Sequence, residues 1–582
     1  MKNYKKVYAA FILASGLILH GCNGIFDDLA INPNQPSMGA YFTSPSAVND
    51  AVMTMYGYMS TQRCLGASGS KTTIIRSDEA SSNSDYGKPG MFGADLNASY
   101  YTIEQPYTLM YTTASQASYI IETAPSVDFS GNEELRNAYM GEAYFWRAFA
   151  HYYLLINFRN ISPIRQMPRN GDDYVRPLEK PAAVWNFIQE DLAHAKELLP
   201  VKGYWDSKNA GRVTKASAAA LLGKAYLYRS GIEQNYGEDK TTFYSEAAKE
   251  FGDIIDGKYG TYDLTKNYAD NFDVAHENNE ESILEFQFLG DVDNAGFNPG
   301  LATSGLAFDS RGLMLPGAGV GYEGVVHNWL YNAFVNSVDK DGYTDIRMFS
   351  TMIFNDLDAS IHLRNDAGGN PVRLEGPGGY KWEELYPAKN GKEGFATVSN
   401  PLAHPFKAGI RKGIDCSMPT QTEADGTPKL VGVGAGVKEY VYNQPRAHGV
   451  NWRYIRYADV LMMYAEAVVS GGAQASNMTP LQAVNKVRGR ANMSELPSVT
   501  MADIQNERIL EFALEGHRFY DLLRWGKLAS RFTELQESDP NFKKFISADD
   551  FKGFVTNKHE WLPIPINEVN SNPYITENNP GY

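Results

Sequence analysis

Amphipathic segments, several of them dense in alanine, recur between about residues 40 and 270, and they constrain this chain to stack helices. Ser44-Pro45 reads as an N-cap followed by proline at the first helical position. Val48, Val52, Met55, Tyr56 and Met59 then fall on one face. The same period predicts helices from Pro106 to about Ile121, Glu133 to Ile156, Pro181 to Leu199, Val213 to Tyr228 (with Thr214 as cap) and Phe243 to Ile255. Ala138, Ala143 and Ala150, then Ala218, Ala219, Ala220 and Ala225, recur where neighbours would touch. Small side chains let helices nest, which is the logic of tetratricopeptide-like helix pairs.

The texture changes further along. The polar, Gly- and Ser-rich stretch from Gly66 to Gly93 reads as a long loop. Between about Asp273 and Gly449, glycine and proline rise and helical stripes fade, leaving an irregular insertion with short strands such as Ser282 to Phe288. Helices return at Tyr457–Val469, Leu481–Arg488 and Met501–Leu528. The prolines of Trp561-Leu-Pro-Ile-Pro-Ile566 exclude helix interior. The expected fold is mostly α: one domain over 22–582, with a helical scaffold at about 40–270 and 450–530 and a loop-rich, irregular half at about 273–449.

Residues 1–21 read as an export signal. Lys2, Lys5 and Lys6 precede the apolar run Val7 to Leu19, which is too short to span a bilayer. Leu19-His20-Gly21-Cys22 follows, and it resembles a bacterial lipobox, with Cys22 as the acylated residue. His20 is atypical there. Stable anchoring needs more than one acyl chain. The remaining thiols, Cys64 and Cys416, allow one disulfide but no cysteine framework and no zinc site. A net charge of −15 argues against nucleic acid, whose phosphates need a basic face.

No enzyme constellation emerges. The ten histidines form no HExxH, and the Gly-rich runs at Gly317–Gly321 and Gly432–Gly436 lack Walker spacing and read as loops. Asp339-x-Asp341-Gly342 hints at calcium, but the glycine is misplaced for an EF-hand and no glutamate closes the loop. No catalytic residue, metal ligand or cofactor is therefore assigned. Glu507, Glu511 and Glu515 repeat at four-residue steps, so one helix face would carry all three. Arg508, Arg518 and Arg524 are near enough to neutralise it, which predicts a structural ion-pair network with buried Phe512, Tyr520 and Trp525.

Several runs resemble the SusD/RagB family of Bacteroidetes outer-membrane lipoproteins. Arg453 to Ala467 (RYIRYADVLMMYAEA), Ala483 to Arg488, and Glu507-Arg508 through Glu515-Gly-His-Arg-Phe-Tyr-Asp-Leu-Leu-Arg-Trp-Gly526 carry the likeness. Gly141 to Ala148, Arg212 to Ala216, Asn278 to Leu284, Asp345-Ile-Arg347 and the ending Asn579-Pro-Gly-Tyr582 fit as well. The resemblance implies a SusD-like fold and a non-catalytic surface protein. It would bind oligosaccharide and serve a SusC-like TonB-dependent transporter as partner. It also implies a surface tag in Asp27 and Asp28, just past the lipid anchor. Peptide cargo, as in members resembling RagB, is the rival within the binding class; a surface lipoprotein glycoside hydrolase is the enzymatic alternative.

Sugar recognition needs flat aromatic faces flanked by amides and carboxylates. Aromatics stranded in polar loops are the candidates: Tyr86 and Phe92, with Asn97, in the first loop, and Tyr322, Trp329, Tyr380 and Trp382 in the irregular half.

Overall fold

A computed structural model describes residues 42–61, 64, 65, 69, 71–82, 92, 96–169, 171–288, 323–374, 407–412, 430–433, 437–440, 450–539, 542 and 553–582. Among the described residues, six α-helices come first: α1 (Pro45–Met59), α2 (Tyr101–Thr123), α3 (Glu133–Phe158), α4 (Pro181–Leu198), α5 (Lys215–Tyr236) and α6 (Tyr244–Ile255). Their starts follow the capping rules. Ser44 Oγ accepts the Ala47 N–H at 3.3 Å, Asn132 Oδ1 accepts the Leu135 N–H at 3.1 Å, and Thr214 with Ser217 closes a capping box. Helix α2 begins five residues before the expected Pro106, which therefore interrupts only its opening turns. Helix α5 runs two turns past Tyr228.

Each of these helices packs on the next, as the tetratricopeptide-like reading requires. The small residues are where backbones come close. A Cβ on Gly141 would lie 2.9 Å from the Leu199 nitrogen, and one on Gly223 would lie 2.7 Å from the Phe251 ring. Ala143, Ala150, Ala218, Ala219, Ala220 and Ala225 expose nothing.

The C-terminal third completes this stack. Strand β2 (Ser282–Phe286) pairs antiparallel with β8 (Trp452–Arg456), which leads straight into α9 (Tyr457–Val469), and α9 packs on α6. Helix α10 (Pro480–Arg490) follows. The expected single helix from Met501 to Leu528 is instead three: α11 (Met501–Glu511), α12 (Arg518–Arg524) and α13 (Leu528–Ser538). Leu514 and Gly516 take φ of +62° and +86°, and Gly526 takes +66°. These left-handed residues separate α11 from α12 and α12 from α13.

A second, smaller core lies in the loop-rich half. Strands β1 (Ala80–Ser82), β3 (Glu323–Val326), β4 (Met352–Phe354) and β5 (Ala408–Ile410) form one sheet in the order β1-β3-β5-β4. Helices α7 (Asn328–Val335) and α8 (Arg347–Thr351) add Leu330, Phe334 and Met348 to its core. Two readings change here. Within the stretch read as a loop, Ile74, Ile75, Arg76 and Asp78 are buried. Gly432, the first residue of the second Gly-rich run, lies in β6 (Leu430–Val433), which pairs antiparallel with β7 (Val437–Tyr440). Among the described residues, no helix is long and apolar enough to cross a membrane.

Candidate functional site

The scattered family runs meet in one buried charge cluster. Arg456 donates to Glu281 (2.7 Å), to Glu511 (2.6 Å) and, through Nε and Nη2, to both oxygens of Glu515 (2.8 and 2.9 Å). Arg347 grips Asp345 and reaches Glu507 (2.5 Å) and Glu511 (3.0 Å). Arg490 bonds Glu281 and Glu511, Arg488 bonds Glu507, and Lys412 bonds Glu515. Five cations thus meet five carboxylates, and such balance is what makes buried charge tolerable. Burial would raise the Glu511 carboxyl, but Arg490, Arg456 and Arg347 together hold it well below the usual carboxylate range. A carboxylate so held and so enclosed cannot serve as a general acid.

The network reading thus stands, with different partners. Glu511 is neutralised by Arg347, Arg456 and Arg490. Arg508 instead pairs with Asp459 and Asp521, Arg518 with Asp78, and Arg524 with Glu466. Glu515 lies beyond the end of α11, off the face it was expected to share. Phe512 and Tyr520 are buried, but Trp525 is only half-buried and donates its indole N–H to Glu466 at 2.9 Å.

The aspartate turn at Asp339 is occupied by protein. Its Oδ1 accepts the N–H groups of Asp341 (2.9 Å) and Tyr343 (3.0 Å), while Oδ2 accepts Asn492 (3.2 Å) and the Arg364 guanidinium. The Arg364 guanidinium pairs directly with this carboxylate. Among the described residues, no cluster of His, Cys, Asp or Glu has metal-site geometry. Cys64 is a buried free thiol.

Three ligand candidates can be placed. Phe92 is only 2% exposed, with its ring edge-on to Phe532 (4.9 Å) and Phe554 (5.3 Å), so it belongs to the core and has no open face. Asn97 is exposed, and its Oδ1 accepts the Ser99 N–H at 2.9 Å just ahead of α2. Trp329 is half-buried on α7, with its indole N–H bonded to the Asp78 carbonyl and the Arg531 guanidinium 4.2 Å above its ring. Cys22, Tyr86, Tyr322, Tyr380, Trp382 and Cys416 lie outside the described residues.

The sheet shows where those candidates attach. Ser82 pairs with Glu323, so the chain leading to Tyr86 and the chain arriving from Tyr322 join the same end of one strand pair. The stretch carrying Tyr380 and Trp382 rejoins the described chain at Lys407, beside β5, at the opposite end of the sheet. Beneath, Asp78, Glu79 and Lys412 tie this sheet to residues 513–531. Glu79 accepts the Leu514 N–H (3.0 Å), and Lys412 donates to the Ala513 carbonyl (2.8 Å). Sequence reasoning missed all three. For Asp78 and Glu79 the signal was charge inside Arg76-Ser-Asp-Glu79, which reads as solvated loop until its partners are known.

Two family models match this chain. The SusD family model covers residues 429–582, which include the whole α9–α13 charge motif. A SusD-like model described as starch-binding associating with outer membrane covers residues 31–227. The two matched regions belong to the SusD family pattern. A SusD-like protein of Bacteroides ovatus is 25% identical over 533 residues, 90% of this chain and 83% of its own. Among solved structures, a SusD superfamily protein from Bacteroides vulgatus superposes with a TM-score of 0.66 at 23% identity, over 93% of this chain and 100% of that one. The surface glycan-binding protein A of Bacteroides thetaiotaomicron, in complex with laminarihexaose, gives 0.66 at 19%, over 92% and 100%. The SusD fold is therefore shared across both cores. Tyr322, Trp329, Tyr380 and Trp382 all fall between the two matched regions.

Proposed function

We propose that this chain is a cell-surface glycan-binding lipoprotein that captures oligosaccharide and delivers it to a SusC-like TonB-dependent transporter. The supporting observation is the match of residues 31–227 to a family described as starch-binding and associating with the outer membrane. The fold it shares with a protein solved in complex with laminarihexaose agrees with that reading. Lipid on Cys22 would tether the chain, and loop aromatics would supply the sugar contacts. Stacking a ring on a pyranose removes apolar area from water at about 25 cal/mol per Å². Ordering the ligand offsets much of that gain, so affinity should be modest. Modest affinity suits a protein that must pass its cargo on.

The buried acids favour binding over cleavage, because the carboxylates of the charge cluster are saturated by guanidinium groups. The test is a glycan array followed by calorimetry, with the bound oligosaccharide recovered and sized. Intact recovery of one glycan class supports the proposal. Shortened products would mean a hydrolase, and no glycan bound together with salt-sensitive peptide binding would mean a peptide carrier. Purification from the native membrane should bring down a much larger barrel, and Cys22→Ala should release the protein from that membrane.

A further inference from the structure

A small cavity lies where distant stretches of the chain meet. Its walls include Asn271 in the single-turn helix Tyr268–Phe272, Lys412 just after β5, Trp452 and Arg453 at the start of β8, and Glu515 between α11 and α12. All five residues are buried. The cavity has room for a water-sized sphere over about 20 Å³. A water needs about 10–15 Å³, so it fits there and a sugar ring does not.

The charged walls already have partners. Lys412 Nζ donates to the Tyr268 hydroxyl (2.5 Å), the Ala513 carbonyl (2.8 Å) and Glu515 (2.8 Å), which uses every hydrogen it has. Arg453 donates to the Asn271 and His276 carbonyls, and its Nε pairs with Glu285 at 3.4 Å. Two other wall atoms differ. Among the described residues, the Trp452 indole N–H and Asn271 Oδ1 have no hydrogen-bond partner. The indole can only donate. The amide cannot be turned round, because Asn271 Nδ2 donates to Thr265 Oγ1 (2.9 Å) and to Glu281 (2.9 Å). Arg456 and Arg490 hold Glu281 ionised, so it can only accept. Asn271 Oδ1 is therefore fixed as an acceptor.

We propose that this cavity is a binding site for one water molecule, which accepts the Trp452 indole N–H and donates to Asn271 Oδ1. The pairing of one donor with one acceptor selects it. An anion would suit the indole but would set its charge against the Asn271 oxygen. A cation would do the reverse. A group that both donates and accepts serves both atoms, and the space admits nothing much larger than water. Buried indole N–H groups and amide oxygens normally find a partner, and ordered water supplies it where protein does not. The water runs from the single-turn helix to β8, beside the Arg453 bond to the Asn271 carbonyl. It is thus a second tie between the chain ahead of β2 and the strand that β2 pairs with. This inference does not rest on the proposed glycan binding.

The test is a crystal structure of the whole protein at a resolution that shows ordered water, with a second crystal soaked in bromide. The expected result is a water peak within hydrogen-bond reach of both Trp452 Nε1 and Asn271 Oδ1, and no bromide signal there. Trp452→Phe keeps an aromatic ring and removes the N–H, so in its crystal the peak should be lost while waters elsewhere remain. A dry cavity overturns the inference, including one in which the indole N–H rests on the Tyr454 ring, whose centre lies 5.4 Å from that of Trp452. So does bromide in the cavity, or a water peak that Trp452→Phe leaves unchanged. Should Trp452→Phe fail to fold, the two crystals of the parent decide alone.

Discussion

Arg456 Nη1 lies 2.6 Å from Glu511 Oε1, and neither side chain exposes any surface. Arg456 ends β8 and Glu511 ends α11, so this contact joins the strand that opens the C-terminal stack to the helix that carries the family motif. Glu281, one residue before β2, completes the bridge on Arg456 and Arg490. Three distant stretches of sequence are thereby held by charge in the interior.

Removing one member should be costly. Glu511→Gln leaves Arg347, Arg456 and Arg490 sharing too few carboxylates, and should cost about 3–5 kcal/mol of stability. Urea unfolding of parent and variant measures this. A loss below about 1 kcal/mol would mean that the cluster reorganises or admits water, contrary to the geometry.

Acid should unfold the protein through the same groups. Burial raises Glu511, Glu281 and Asp459, but their cationic neighbours outweigh it and leave all three below the usual range. Their contribution is complete above the unfolded-chain value of about 4 and is lost as pH falls below it, because the unfolded chain then binds protons that the native carboxylates refuse. The acid limb of the stability curve should be steep in the parent and shallower in Glu511→Gln. Parallel acid limbs would argue against the assignment.

Glu79 works in the opposite sense. Burial pushes its carboxyl up to about 8. A protonated Glu79 has a natural acceptor in Ser77 Oγ at 3.3 Å, which in turn donates to the Ile74 carbonyl at 2.6 Å. As pH rises from about 4.5 to 8 the unfolded chain has lost this proton and the native state keeps it, so the parent loses stability through that window. Glu79→Gln mimics the protonated acid and should gain on the parent by up to about 1.4 kcal/mol per pH unit there. Lys412, which burial lowers to about 8, acts only above this window. Curves that run parallel from pH 5 to 8 would show that Glu79 is ionised throughout.

Gly231→Ala tests the seam between α5 and α12. A Cβ there would stand 2.6 Å from the Arg524 carbonyl oxygen, a backbone atom that cannot swing aside. Helix propensity favours alanine by about 1 kcal/mol, yet the clash should win and lower stability by about 1–3 kcal/mol. A raised melting temperature would mean that the two helices are farther apart than described.

At the ligand face, Tyr86→Ala or Tyr322→Ala should abolish measurable glycan binding without moving the melting temperature, as read by calorimetry and thermal scans. If both bind like the parent, the sugar contacts lie elsewhere.

The helical half was legible because its information is local. Ser44-Pro45, Asn132 and Thr214 set helix starts through their own side chains, and the alanines mark contacts by size alone. The runs shared with the SusD family were equally readable, since they depend on residue order. The candidate site was legible in part. Loop aromatics could be named, but Phe92 in the core and exposed Asn97 look alike as sequence, because exposure is a property of neighbours.

What the sequence by itself determined was the stacked-helix class, the break from helical to irregular texture near residue 273, and the likeness to the SusD family through the runs from Arg453 to Gly526. Only the tertiary structure decided where the charges go. Asp78 and Arg518 lie 440 residues apart, and Arg456 and Glu281 lie 175 apart. Nothing local to either member of a pair says that it will be buried. A lone charged residue in a polar run is cheapest in water, and it moves inside only when folding brings its counter-charge to within hydrogen-bond distance.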